Sequence, residues 1–77
     1  MLKKVVEFVV KELVENSSAV KVLQSEQDKR LTLSIHVDEQ DLGKLIGKGG
    51  ETIRSIRSLV VALNQNKERE VFVDIVK

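Results

Sequence analysis

The 77-residue chain contains no cysteine, no tryptophan and no tyrosine, with two phenylalanines and one histidine. Lack of cysteine excludes disulfides, thiolate metal sites and a cysteine nucleophile together, and fits a reducing compartment. His36 cannot form a metal centre alone. An excess of one charge is also missing: Lys and Arg number 13 against 12 Asp and Glu, a formal net charge of +1. Affinity for a polyanion would therefore depend on local placement of charge rather than on the overall balance. Long apolar runs are absent as well, because Glu7, Lys11 and Glu12 interrupt the N-terminal one. That excludes a signal h-region or a membrane span there, and a soluble cytoplasmic protein is the expectation. No nucleophile–base pair, metal cluster or paired carboxylates in a glycine-lined cleft can be found, so neither catalysis nor a cofactor is expected.

Glycine is scarce and concentrated. All four, Gly43, Gly47, Gly49 and Gly50, lie within eight residues. Lys44, Lys48, Arg54 and Arg57 share the window from 43 to 59 with Glu51 as the one acid, a local charge of +3. Acidic residues gather elsewhere, in Glu12/Glu15, Glu26/Asp28 and Asp38/Glu39/Asp41. With 42% apolar and 32% charged residues the composition is that of a folded domain. A chain of this length buries only about 60% of its unfolded surface, so residues 1–77 are expected to form a single domain with one modest core.

Apolar spacing orders the elements. Leu2, Val5, Val6, Val9 and Leu13 recur at helical spacing and predict an amphipathic helix over 2–15, ended by Asn16-Ser17-Ser18. Residues 19–25 alternate weakly through Val20 and Val22 as a strand, and Glu26-Gln27-Asp28-Lys29 is read as a four-residue turn. Leu31, Leu33, Ile35 and Val37 then alternate with Thr32, Ser34 and His36, the clearest period of two in the chain and the expected central strand. Asp38 resembles an N-cap, with Asp41 three residues on and Val37 and Leu42 placed as a hydrophobic staple for a short helix that ends at the glycines. A further helix over 51–64 turns Ile53, Ile56, Leu59, Val60 and Leu63 to one face and groups Arg54, Arg57 and Val61 on its flank. Val71, Val73 and Ile75 mark a closing strand. The expected fold is a small α+β domain in the order α-β-β-α-α-β, a three-stranded mixed sheet with three helices on one face. Its open face would carry Leu23, Phe72 and Val76 among polar neighbours, with His36 solvated.

The glycine turn suits an anion, since glycine permits close backbone approach and the first N–H groups of a following helix carry partial positive charge. Nucleotide-binding motifs do not fit. Gly47-Lys48 is followed by Gly49 where a P-loop needs Ser or Thr, and a helix rather than a strand precedes the turn, contrary to a dinucleotide fingerprint.

The run Ile46-Gly47-Lys48-Gly49-Gly50-Glu51-Thr52-Ile53 resembles the Ile-Gly-x-x-Gly-x-x-Ile signature of KH domains, held between helices as in that family. The element order resembles the bacterial type II arrangement, and the whole chain is similar to the small, free-standing bacterial KhpA family. That resemblance implies binding of single-stranded RNA, as a small RNA chaperone or post-transcriptional regulator, and pairing as a homodimer or with a larger KH-containing protein, without a membrane. Gly47, Lys48, Gly49 and Gly50 would then clamp the backbone of about four nucleotides. Gly43, Lys44, Leu45 and Ile46 would form one wall, Ile53, Arg54 and Arg57 the floor and rim, and Ile35 to Val37 the opposite side, unless those strand residues serve the core. With so few aromatics, stacking is largely missing, and contact would rest on phosphates, aliphatic packing and base edges. A rival reading is an assembly module with little RNA binding of its own, using Val61 and the helix flank or the open sheet face around Leu23 and Phe72.

Overall fold

Strand alternation is the strongest local signal, and it builds the centre of the molecule. The computed structural model describes residues 2–76, except for the side chains of 48–50. Three strands, β1 (Lys21–Gln27), β2 (Arg30–His36) and β3 (Glu70–Ile75), form one sheet in the order β1-β2-β3. β1 pairs antiparallel with β2, and β2 pairs parallel with β3. Leu31, Leu33 and Ile35 of β2 are buried beneath the helices, as the alternation requires. The opposite face leaves Leu23, Phe72 and Val76 exposed, with the Arg30 guanidinium 5.0 Å from the centre of the Phe72 ring. This is the α+β arrangement expected of a type II KH domain.

The hairpin turn is tighter than its sequence suggests. Gln27 pairs directly with Arg30, so Asp28 and Lys29 alone make the connection, both at positive φ (48° and 65°). A two-residue hairpin loop of this kind follows the right-handed strand twist and needs positive φ at both positions. Asp tolerates that conformation better than Lys, and without a glycine the sequence does not announce it.

Helix α1 (Leu2–Leu13) packs over β1 through Leu2, Val6 and Val10, and Val14 continues the stripe beyond its end. Of the expected stripe Leu2, Val5, Val6, Val9 and Leu13, Leu2 and Val6 are buried, while Val10 and Val14 take the places expected of Val9 and Leu13. Val5 and Val9 are half-buried and Leu13 is exposed. Valines at consecutive positions offer two stripes of equal merit, and only packing against Val22 and Ile35 selects between them.

The greatest departure from expectation concerns the long helix α2 (Leu42–Leu63). Two helices parted by a glycine turn were expected, and one helix runs across that span. Leu45, Ile53, Ile56 and Val60 are all buried, and their spacing forms a single stripe that passes through the glycine segment without a change of phase. Each glycine lowers helix stability by about 1 kcal/mol relative to alanine, which packing of such a stripe can outweigh. Leu59 and Leu63, expected in the core, remain more than a third exposed because they fall beside the stripe.

Two aspartates fasten the start of α2. Asp38 caps a 3-10 turn, Glu39–Asp41, its Oδ1 accepting from the Gln40 N–H at 2.9 Å and its Oδ2 from Asn16 Nδ2 at 2.9 Å. Asp41 is 2% exposed, and its two carboxylate oxygens accept from the Glu15 and Asn16 N–H groups, each at 3.1 Å. The end of α1 is thereby tied to the beginning of α2. The Gln40 N–H, then Asn16, hold the Asp38 carboxyl below its ordinary value of 3.8. A depressed folded pKa means that this contribution is complete above the ordinary value and disappears as pH falls through the depressed one. A carboxyl-carbon NMR titration should accordingly give a midpoint for Asp38 below 3.8, which Asn16→Ala moves back toward the ordinary value.

Candidate nucleic-acid interface

The residues singled out from sequence lie along the first three-quarters of α2, and the structure divides them into three groups. Ile46 is 37% exposed and Gly47 is half-buried on the helix surface. A Cβ placed on Gly43 or Gly47 would meet nothing within 4 Å, so packing inside the chain does not account for glycine at either position. The side chain of Lys48, together with Gly49 and Gly50, lies outside the described residues. The helix N-terminus that the structure shows is at Leu42, beside Asp41, and not at Glu51.

Ile53 is 8% exposed and belongs to the core rather than to a contact surface. Lys44 is engaged within the chain, its Nζ 3.0 Å from Glu15 Oε1 and 3.7 Å from Asp41 Oδ1. Sequence reading set Glu51 alone against the basic window. Folding brings Glu15 and Asp41 against it as well, so the positive field is weaker at the Lys44 end and is carried further along α2.

Arg54 and Arg57 are both exposed on the flank they share with Val61. Arg57 Nε donates to the Val73 carbonyl oxygen at 3.1 Å. Its acceptor is neutral, so the guanidinium keeps its full charge for another partner. The bond also fixes which strand faces the flank. Glu70 and Val76 direct their N–H groups to β2, so the intervening odd-numbered residues of β3 turn theirs to the open edge, where Arg57 meets Val73. Ile35 to Val37 therefore do not form the opposite wall. Ile35 is fully buried, Val37 packs against the core, and β2 is paired on both sides. The outer edge of β3 is the strand edge that lies beside the arginine flank.

Behind this flank, α1 and α2 leave an open apolar groove of about 310 Å³ lined by Val9, Leu13, Ile56 and Leu59 with Thr52 and Ser55. Among the described residues no group of His, Cys, Asp and Glu is arranged to hold a metal ion, and no helix is long and apolar enough to cross a membrane.

Comparison with known proteins decides the family. The model of the KhpA/KhpB KH domain matches residues 3–75. The chain belongs to this KH-domain family. Among KhpA proteins, the RNA-binding protein KhpA of Aquifex aeolicus is 36% identical over 76 residues, covering 99% of this chain and 96% of that protein. The RNA-binding protein KhpA of Borreliella burgdorferi is 37% identical over 70 residues, 91% of this chain and 85% of its own, and that of Listeria monocytogenes is 32% identical over 69 residues, 90% and 91%. No solved structure matches the chain at a comparable level. Sequence reading did not bring Glu15, Asn16 or the β3 edge to this part of the molecule. The first two meet Asp41 across 25 and 26 residues of chain, a separation that leaves no local signal.

Proposed function

We propose that the chain binds single-stranded RNA through Ile46, Gly47, Lys48, Gly49 and Gly50 together with the Arg54 and Arg57 flank, acting in the cytoplasm as a small RNA chaperone or post-transcriptional regulator. The observation that carries this reading is family membership over residues 3–75, with relatives that match over most of their own length named as RNA-binding proteins. Open space at Gly43 and Gly47 supports it, since glycine that nothing in the chain requires is suited to close approach by another molecule. Lys44 belongs to the site chiefly by anchoring the start of α2. Ile53 supports it from beneath, and both are positioning residues in this account.

Few cations and only two aromatics, Phe8 on α1 and Phe72 on β3, neither of them on α2, imply modest affinity from one domain. If three to four cations meet phosphates, the log–log salt slope for a single strand is about −2 to −3. Linking two modest sites raises avidity by about 10²–10⁴, so useful occupancy calls for a second RNA-binding chain. The groove beside Leu13 and Leu59, with Val61 57% exposed, favours assembly with a second copy or a larger KH-containing protein as a concurrent role.

The test replaces Lys48 and Gly49 with aspartate. RNA crosslinking should be abolished while circular dichroism and partner pull-down are preserved. Gly47→Ala should raise thermal stability by about 0.5–1 kcal/mol, as helix propensity dictates, and yet weaken RNA binding. Oligoribonucleotide titration at low ionic strength that leaves the amide resonances of 44–57 unmoved would overturn the RNA reading, and loss of partner capture alone would make assembly the main role.

A further inference from the structure

A cavity lies at the other end of α2, where the pattern of the sheet breaks. Val22, Gln24 and Glu26 of β1 occupy the helix-covered face, opposite Ile35, Leu33 and Leu31 in the register. Val22 is buried there, but Gln24 and Glu26 are polar and exposed at positions where the core would continue. Past the ends of α1 and α2 the helix layer stops. It leaves an open cavity of about 420 Å³ with an apolar floor of Leu2, Leu31 and Leu63 and a rim that includes Gln24, Gln65 and Arg69.

Arg69 is held in place there. Its Nη2 donates to Asn64 Oδ1 at 3.0 Å, Asn64 Nδ2 donates to the Arg69 carbonyl oxygen at 2.9 Å, and Nη1 lies 3.6 Å from Glu26 Oε1. Its Nε is buried and has no acceptor. A buried donor in that condition is costly unless something supplies an oxygen or ring nitrogen. Among the described residues the side-chain amides of Gln24 and Gln65 also make no hydrogen bond within the chain, so both donors and acceptors stand at the rim.

We propose that this cavity is a nucleobase site, separate from the glycine segment; the assignment rests on the RNA-binding reading of the chain. Charge decides against an anion. Glu26 already answers Arg69, and Lys29 pairs with Glu68 at 4.0 Å in the adjoining loop, so the surroundings are near neutral. A nucleobase is neutral and planar, it carries donors and acceptors on one edge that side-chain amides and a guanidinium can pair, and its faces suit an aliphatic floor. Cavities that hold small ligands are about 300–1,000 Å³ and combine apolar surface with a few convergent polar groups; at about 420 Å³, with Leu2, Leu31 and Leu63 beside Gln24, Gln65, Asn66 and Arg69, this one falls within that range. An RNA strand engaged at the glycine segment would thus have a second point of contact at the far end of the same helix.

The full chain, labelled with ¹⁵N, would be titrated separately with adenosine, guanosine, cytidine and uridine, which carry no phosphate, and with ribose as the control. Expected is a saturable shift of the Arg69 Nε–H and the Gln24 and Gln65 side-chain NH₂ signals with at least one nucleoside, none with ribose, and none at 44–57. Gln24→Ala with Gln65→Ala, both exposed, should weaken that nucleoside about tenfold without changing the fold. No saturable shift up to the solubility limit, or a shift that survives the double substitution, would overturn the inference. Failure of the glycine-segment reading is scored independently, by oligoribonucleotide shifts at 44–57.

Discussion

Asp41→Ala should lower stability by about 3 kcal/mol, because two backbone N–H groups lose a buried, charged acceptor at once and hydrogen bonds to charged groups contribute about 1.5–3 kcal/mol each. For a domain of this size the loss amounts to about 12–24 °C in Tm. Asp41 itself is nearly inaccessible to water, so its carboxylate depends on the Glu15 and Asn16 N–H groups for its hydrogen bonds. Asp41→Asn retains one acceptor and should fall roughly midway. Lys44→Ala removes an ion pair whose lysine side chain is 43% exposed and should cost less than about 1 kcal/mol. A chemical-denaturation series on the three variants checks this order. An Asp41→Ala loss below about 1 kcal/mol would mean that the link between the end of α1 and the start of α2 is not a structural support.

Leu45→Ala comes next in size, at about 2–4 kcal/mol. Leu45 is fully buried and is the last core anchor before Gly47. Alanine is the better helix former by only a few tenths of a kcal/mol, so propensity cannot offset the cavity. The same substitution should weaken RNA binding, since Gly47 is two residues further along the helix that Leu45 seats on the sheet. Val61→Ala, on the exposed flank, should change stability by less than about 0.5 kcal/mol. If Leu45→Ala were as mild as Val61→Ala, the stripe joining Leu45 to Ile53 across the glycine segment would not be a packed unit.

That stripe shows what the sequence made legible and what it did not. Period-two alternation of Leu31, Leu33 and Ile35 located the central strand and its buried face, because a strand covered on one side leaves no other register. Glycine propensity pointed to a break in α2, whereas the phase of Leu45, Ile53, Ile56 and Val60 pointed to continuity. Both signals were in the sequence, and tertiary packing favoured the second. In α1 the valines gave two equivalent stripes, and the choice depends on a partner surface that sequence does not display. At the candidate site, exposure of Arg54 and Arg57 and burial of Ile53 follow from helical phase. The engagement of Lys44 by Glu15 and Asp41, and that of Arg57 by Val73, do not, since each joins elements distant in sequence.

Pairing order in the sheet has a kinetic consequence. A two-residue turn lets β1 and β2 meet at little entropic cost, whereas β3 must wait until the whole length of α2 has been laid down between it and β2. Pulsed amide exchange during refolding should therefore find 21–36 protected before 70–75. The strand edge that Arg57 meets at Val73 is the last surface to be completed as the chain folds, so the hydrogen bond that steadies the Arg57 side chain can form only at that stage.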